Sequence, residues 1–177
     1  MVVLALLVIL GAAIIPSIGG ISGNVRQKAA ADLVRARLAD ARAKAMEDAR
    51  PYRVALNDDG TRIRVAPDGF DFATTPPDDP PAYQSKVTED SIDKASAHIL
   101  AEDDVVPDRD GGWNVVATFL PDGTCREAHA TVEVREKTFP PIRIQVRGVT
   151  GSTRLLPVDP NTHAQGPATD NKPGVGP

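Results

Sequence analysis

The chain has 177 residues, 41% of them hydrophobic but only 4% aromatic, so it can hold one modest core built mainly of Ala, Val, Ile and Leu. Its net charge of −4 removes any global electrostatic reason to bind nucleic acid or an anionic membrane surface. A single cysteine, Cys125, excludes an intrachain disulfide, and 14 glycines with 16 prolines assign much of the chain to loops and tail.

From Met1 to Ile15 the chain holds only apolar residues and Gly11. A bilayer-spanning helix needs about 20 such residues. Running on through Pro16, Ser17, Ile18, Gly19, Gly20 and Ile21 reaches that length, so residues 1–22 are expected to form an apolar membrane-spanning helix. A secretory signal would place Lys or Arg ahead of the apolar run, and none stands there. Pro16 is expected to interrupt the helix, and Gly19, Gly20 and Gly23 mark a meltable stretch after it.

Polarity then switches while the helical pattern continues. Ala30, Leu33, Val34, Leu38, Ala41, Ala45 and Ala49 recur at steps of three and four and make one apolar stripe. Arg35, Arg42, Lys44, Glu47 and Asp48 lie off it. Alanine is the strongest helix former, and Pro51 stops the helix because the residue before proline avoids helical dihedrals. An amphipathic stem over 23–50 is predicted, with Leu33, Val34, Leu38, Ala41 and Ala45 packing on the chain's own β domain.

That domain is expected over 51–157. Tyr52, Val54 and Leu56 alternate, Asn57-Asp-Asp-Gly60 is a turn, and Ile63 and Val65 alternate again with Arg62 and Arg64 outward. Residues 67–91 are rich in Pro, Asp and Thr and read as a loop. Ser91–Leu100 fits either a short helix or a strand, and Asp103–Gly112 is acidic and turn-prone. Asn114–Leu120 is a strand ending in the turn Pro121-Asp122-Gly123. Ala128–Arg135 follows, with Val132 and Val134 inward and Thr131, Glu133 and Arg135 outward. Ile142–Arg147, a turn at Thr150-Gly151 and Ser152–Leu156 complete an antiparallel sheet or pair of sheets. Residues 158–177 have almost no apolar content and are expected to be disordered.

Chemistry is sparse. Nucleophile, phosphate-loop and dinucleotide motifs are absent from the sequence. Cys125 and His129 are too few ligands for zinc. Asp58, Asp59, Asp79, Asp103, Asp104, Asp108 and Asp110 lack the ordered spacing of a calcium loop and read as solvated turn acids. Arg143, Gln145 and Arg147 share one strand face, and Arg62 and Arg64 another; a solvated sheet face is the default reading over a phosphate contact. No cofactor, metal or catalytic residue is expected.

The run Leu4–Ile18, LALLVILGAAIIPSI, with the Ala-rich stem behind it, resembles the N-terminal helix of type IV pilins and type II secretion pseudopilins. Thr118–Gly123 and Arg143–Arg154, a phenylalanine strand into a Pro-Asp-Gly turn and a closing Thr-Gly hairpin, are similar to the C-terminal half of H-type minor pseudopilins. The middle, 67–112, carries no match.

The resemblance implies an α+β pilin-like fold, a long N-terminal helix packed on antiparallel β-sheet. It implies a structural role without enzyme activity, as a minor pseudopilin in a pseudopilus that drives protein export. The alternatives are a type IV pilus minor pilin involved in DNA uptake and a generic single-span anchored protein. It makes Leu4, Leu7, Leu10, Ile14 and Pro16 the assembly helix. It names other pseudopilin subunits and the inner-membrane secretion platform as partners, gives no nucleic-acid role, and puts the β domain in the periplasm. Arg26, Lys28, Arg35 and Arg37 after the anchor would by themselves place the stem in the cytoplasm, and the resemblance implies the reverse. With Pro16 on the family proline, Met1 falls a few residues inside the mature family N-terminus. A misassigned start or a fragment is therefore expected, with the leader, the processing and methylation site and an early glutamate lying upstream.

Overall fold

The structure is a computed structural model describing residues 2–69, 72–73, 86–93, 95–100, 109–137 and 139–156, with side chains from Gly23 onward. Helix α1 spans Val2–Glu47, 46 residues, or about 70 Å at 1.5 Å per residue. Its backbone continues through Pro16, Gly19, Gly20 and Gly23, which corrects the break expected at Pro16. Proline's fixed φ is itself helical, and its cost is one missing hydrogen bond and a local bend, which a long helix absorbs.

The helix stops short of the expected Arg50. Ala49 takes a left-handed φ of 50°, and the Arg50 N–H donates back to the Ala45 carbonyl at 3.3 Å. This is a Schellman-type closure built on alanine in place of the usual glycine. Ala49 therefore lies beyond the helical stripe and is exposed.

Among the described residues nine strands follow: β1 Tyr52–Asn57, β2 Arg62–Pro67, β3 Thr88–Ser91, β4 Ser96–Leu100, β5 Arg109–Asp110, β6 Trp113–Phe119, β7 His129–Arg135, β8 Ile142–Arg147 and β9 Ser152–Leu156. They form two antiparallel sheets, β3-β2-β1-β6-β5 and β4-β7-β8-β9. The first hairpin closes on Asn57, whose Oδ1 accepts from the Thr61 and Arg62 N–H groups at 2.8 and 2.9 Å, with Gly60 at φ 66°. The sheets are stitched by backbone bonds, Ala97 N–H to Gly60 O at 2.8 Å and Cys125 N–H to Gly148 O at 2.7 Å.

The main core lies between α1 and both sheets. Val34, Leu38, Ala41 and Ala45 meet Tyr52, Val54, Leu56, Ile63, Val65 and Phe119 from one sheet and Val132, Val134, Ile144 and Val146 from the other. Small helix residues let the two sheets approach the helix closely. One long helix packed on antiparallel sheets is the α+β architecture expected.

Several local expectations are corrected. Strand β3 lies inside the span read as loop, where its residues Thr-Glu-Asp-Ser carry no strand signature. Ser96–Leu100 is a strand, which resolves the open choice there. Arg64, Thr131 and Glu133 do not point to solvent; each is buried on the far face of its sheet. On the first sheet that face is covered by a second apolar cluster of Ala55, Ala66, Phe72 and Trp113. The Arg64 guanidinium sits between the Phe72 and Trp113 rings, 5.9 and 5.6 Å from their centroids, with Glu89 at 3.2 Å. On the second sheet Glu133 is only 1% exposed because Arg143 and Arg135 fold over it. Burial pushes its carboxyl up, but the two guanidiniums outweigh that and hold it below the usual range.

Residues 158–177, Asp79, Asp103, Asp104 and Asp108 lie outside the described residues.

Candidate assembly stem

Two halves of α1 differ in what their sequence can bury. The rear half, from Gly23, is held on the β domain from end to end. At its top the Phe139 ring rests directly on the helix at Gly23, where a Cβ would overlap it. One turn on, Gln27 is 2% exposed, and its Nε2 donates to the Val134 carbonyl at 3.1 Å and the Pro140 carbonyl at 2.9 Å. Such a buried amide is tolerable only because both bonds are made.

Further down, the stem is tied to edge strand β3. Arg37 donates twice to Asp90, at 2.6 and 3.0 Å, and the Lys44 ammonium reaches Thr88 at 3.0 Å. Just past the helix end, Asp48 accepts from Lys86 at 2.7 Å and from the Tyr52 hydroxyl. The Lys86 bond, then the Tyr52 bond, hold this carboxyl below its ordinary range.

The lower end carries a junction that the sequence pattern did not show. Leu120–Gly123 forms a turn closed by Gly123 N–H to Leu120 O at 2.9 Å, with Gly123 at φ 81°. The β8–β9 turn closes by Gly151 N–H to Arg147 O at 2.7 Å, with Gly151 at φ 58°. These two turns abut. Arg42 of α1 donates from Nε to the Gly123 carbonyl at 2.9 Å and borders Gly151. The Pro-Asp-Gly and Thr-Gly motifs thus become one contact with the stem, and Arg42, read only as lying off the stripe, is its centre.

The structure places Val34, Leu38, Ala41 and Ala45 in the core, with Leu33 partly buried beside it. On the opposite helix face Val25 is 61% and Met46 52% exposed, with Ala29, Ala36, Ala39 and Ala43 exposed between them. The helical backbone carries Leu4, Leu7, Leu10, Ile14 and Pro16, but their side chains lie outside the described residues. Among the residues whose side chains are described, from Gly23 onward, no helix is long and apolar enough to cross a membrane.

Reactive chemistry is not assembled among the described residues. No group of three or more metal-ligating side chains occurs there. Cys125 is buried, and desolvation together with Glu127 pushes its thiol up to about 12, so it stays protonated and unreactive. His129 lies at an exposed strand start. Asp58 is engaged by Arg109 and Asn114, and Asp110 by Arg53. Arg62 and Arg64 are neutralised by Glu89, and Arg143 by Glu133.

No family model and no curated protein matches the chain in sequence. Solved structures do match in shape. The type IV minor pilin FimU of Pseudomonas aeruginosa strain PAO1 aligns with a TM-score of 0.53 at 16% identity, over 77% of this chain and 92% of that one. A second crystal form of FimU gives a TM-score of 0.51 at 16% identity, over 73% and 92%. The minor pseudopilin EpsH from the Type 2 Secretion System of Vibrio cholerae gives 0.48 at 13% identity, over 74% and 96%. The FimU likeness shows that this chain has a pilin-like fold.

Proposed function

We propose that this pilin-like chain is a structural subunit whose apolar front half-helix anchors it in the inner membrane and packs among the helices of other subunits, while the rear half carries its β domain in the periplasm. The observation that supports this is the division of labour along α1. From Gly23 onward the helix is committed to its own domain by apolar packing, Gln27, Arg37 and Arg42. Residues 2–22 continue the same helix with an uncharged, mostly apolar sequence. That stretch is long enough to enter a bilayer or a bundle of similar helices.

Within the class we read the chain as a minor pseudopilin of a type II secretion system. The support is the order of the Thr118–Gly123 and Arg143–Arg154 motifs, whose turns come together at Arg42. The second reading, a minor pilin of a type IV pilus, draws on the likeness to FimU.

The anchor is tested by carbonate washing of membranes from cells making the full chain. The unaltered chain is expected to stay in the membrane pellet. With Leu7→Arg and Leu10→Arg it should be released, since each arginine at mid-membrane costs about 3 kcal/mol on insertion scales. Equal release of both forms would sink the anchor reading.

A further inference from the structure

The fold neutralises its strand arginines with carboxylates almost without exception. Arg53 meets Asp68 and Asp110, Arg62 and Arg64 meet Glu89, Arg109 meets Asp58, and Arg135 and Arg143 meet Glu133. Arg147 and Arg154 break the pattern. Among the described residues the Arg147 guanidinium has no hydrogen-bond or ion-pair partner, and the Arg154 side chain holds only the Gln145 amide, at 2.9 Å through Nε.

These two arginines are not scattered. Register pairs Arg147 with His129 across β7–β8, and Gln145 with Arg154 across β8–β9. Together with the β8–β9 turn they line one open groove of about 590 Å³ that contains no acidic residue. Val149 sits on that turn and is 88% exposed, the most exposed large apolar side chain described. Among the described residues the groove therefore combines two cations without a carboxylate partner, an amide, an imidazole and a bare valine.

We propose that this groove is a docking site for an acidic, partly apolar segment of a partner protein. Carboxylates match the free guanidinium forks, which bind them in bidentate fashion. A neighbouring apolar side chain would cover Val149, giving the contact an apolar centre with a charged rim. Nucleic acid is the poorer fit. Binding that survives physiological salt needs a longer track of phosphate contacts than two arginines provide. No aromatic side chain lines the groove to stack a base. A phosphate backbone also makes no use of Val149. The groove ends at Thr150, next to Gly151, which Arg42 borders; Arg42 lies roughly 30 Å along α1 from residue 22 at 1.5 Å per residue, so the groove is at the end of the domain away from the apolar half-helix. The inference does not depend on which filament system the chain serves, and its test does not involve residues 2–22.

The test uses the full chain in mild detergent and a fluorescein-labelled peptide of alternating Glu and Leu, read by fluorescence anisotropy. A duplex DNA of matched charge serves as competitor. Saturable peptide binding is expected, weakened about tenfold in R147Q/R154Q and about threefold in V149S. Both variants change exposed side chains and should keep the thermal midpoint of the unaltered chain, which calorimetry checks. Absence of saturable binding, or equal binding by R147Q/R154Q, would overturn the proposal. Tighter binding of the DNA, lost in the same variant, would also overturn it and assign the groove to phosphates.

Discussion

Replacing Gly151 by alanine is expected to lower stability by roughly 2–4 kcal/mol, far more than a surface turn substitution normally costs. Two effects add. At φ 58° an L side chain is strained. The new Cβ would also overlap the Gly123 carbonyl oxygen, which belongs to rigid backbone and already accepts the Arg42 bond. Relief requires the two turns to part, which pulls Gly123 from the stem. Gly112 supplies the control. It has φ 87° but nothing near its Cβ position, so Gly112→Ala should show the conformational term alone, about 1 kcal/mol. Chemical denaturation of both variants reads the difference. Equal losses would mean that the two turns do not share one contact with α1.

Gln27→Leu is the second large expected effect, a loss of about 2–3 kcal/mol. The side chain keeps its size and gains apolar character, so a simple area argument predicts stabilisation. The hydrogen-bond argument predicts the opposite. Gln27 is the donor that satisfies the Val134 and Pro140 carbonyls at the place where the helix leaves its domain. Removing it strips one turn of α1 from β7 and from the segment before β8. Amide exchange along 23–30 should rise along with the fall in the unfolding midpoint. A neutral or stabilised Gln27→Leu would show that packing alone holds the top of the stem.

Much of the architecture was legible because it follows from local periodicity. The three-and-four spacing of Val34, Leu38, Ala41 and Ala45 identifies a helix face, and the structure puts those residues against both sheets. Asn57–Gly60, Pro121–Gly123 and Thr150-Gly151 name turns by chemistry, and the chain turns there, twice within a hairpin and once between the two sheets. What stayed hidden depends on tertiary partners. Alternation assumes that one sheet face is wet, so it sent Arg64 and Glu133 outward. Phe72 and Trp113 cover one far face, and paired arginines cover the other. Strand β3 is polar because it is an edge whose side chains serve the stem through Thr88 and Asp90. Gln27 and Arg42 were hidden for the same reason. Each acts on a backbone carbonyl far away in sequence, and no spacing rule reports such a partner.

The assembly role of the front half-helix rests on sequence pattern and on what the rear half is already committed to. The most direct measurement is site-specific photo-crosslinking in cells, with a benzophenone amino acid replacing Leu7 or Leu10 in the full chain. The division of labour along α1 predicts light-dependent adducts with the helices of other pilin-class subunits, together with internal cross-links to the chain's own β domain when the same label replaces Leu33. Adducts confined to lipid, or none from Leu7 and Leu10 while Leu33 still reacts, would contradict it.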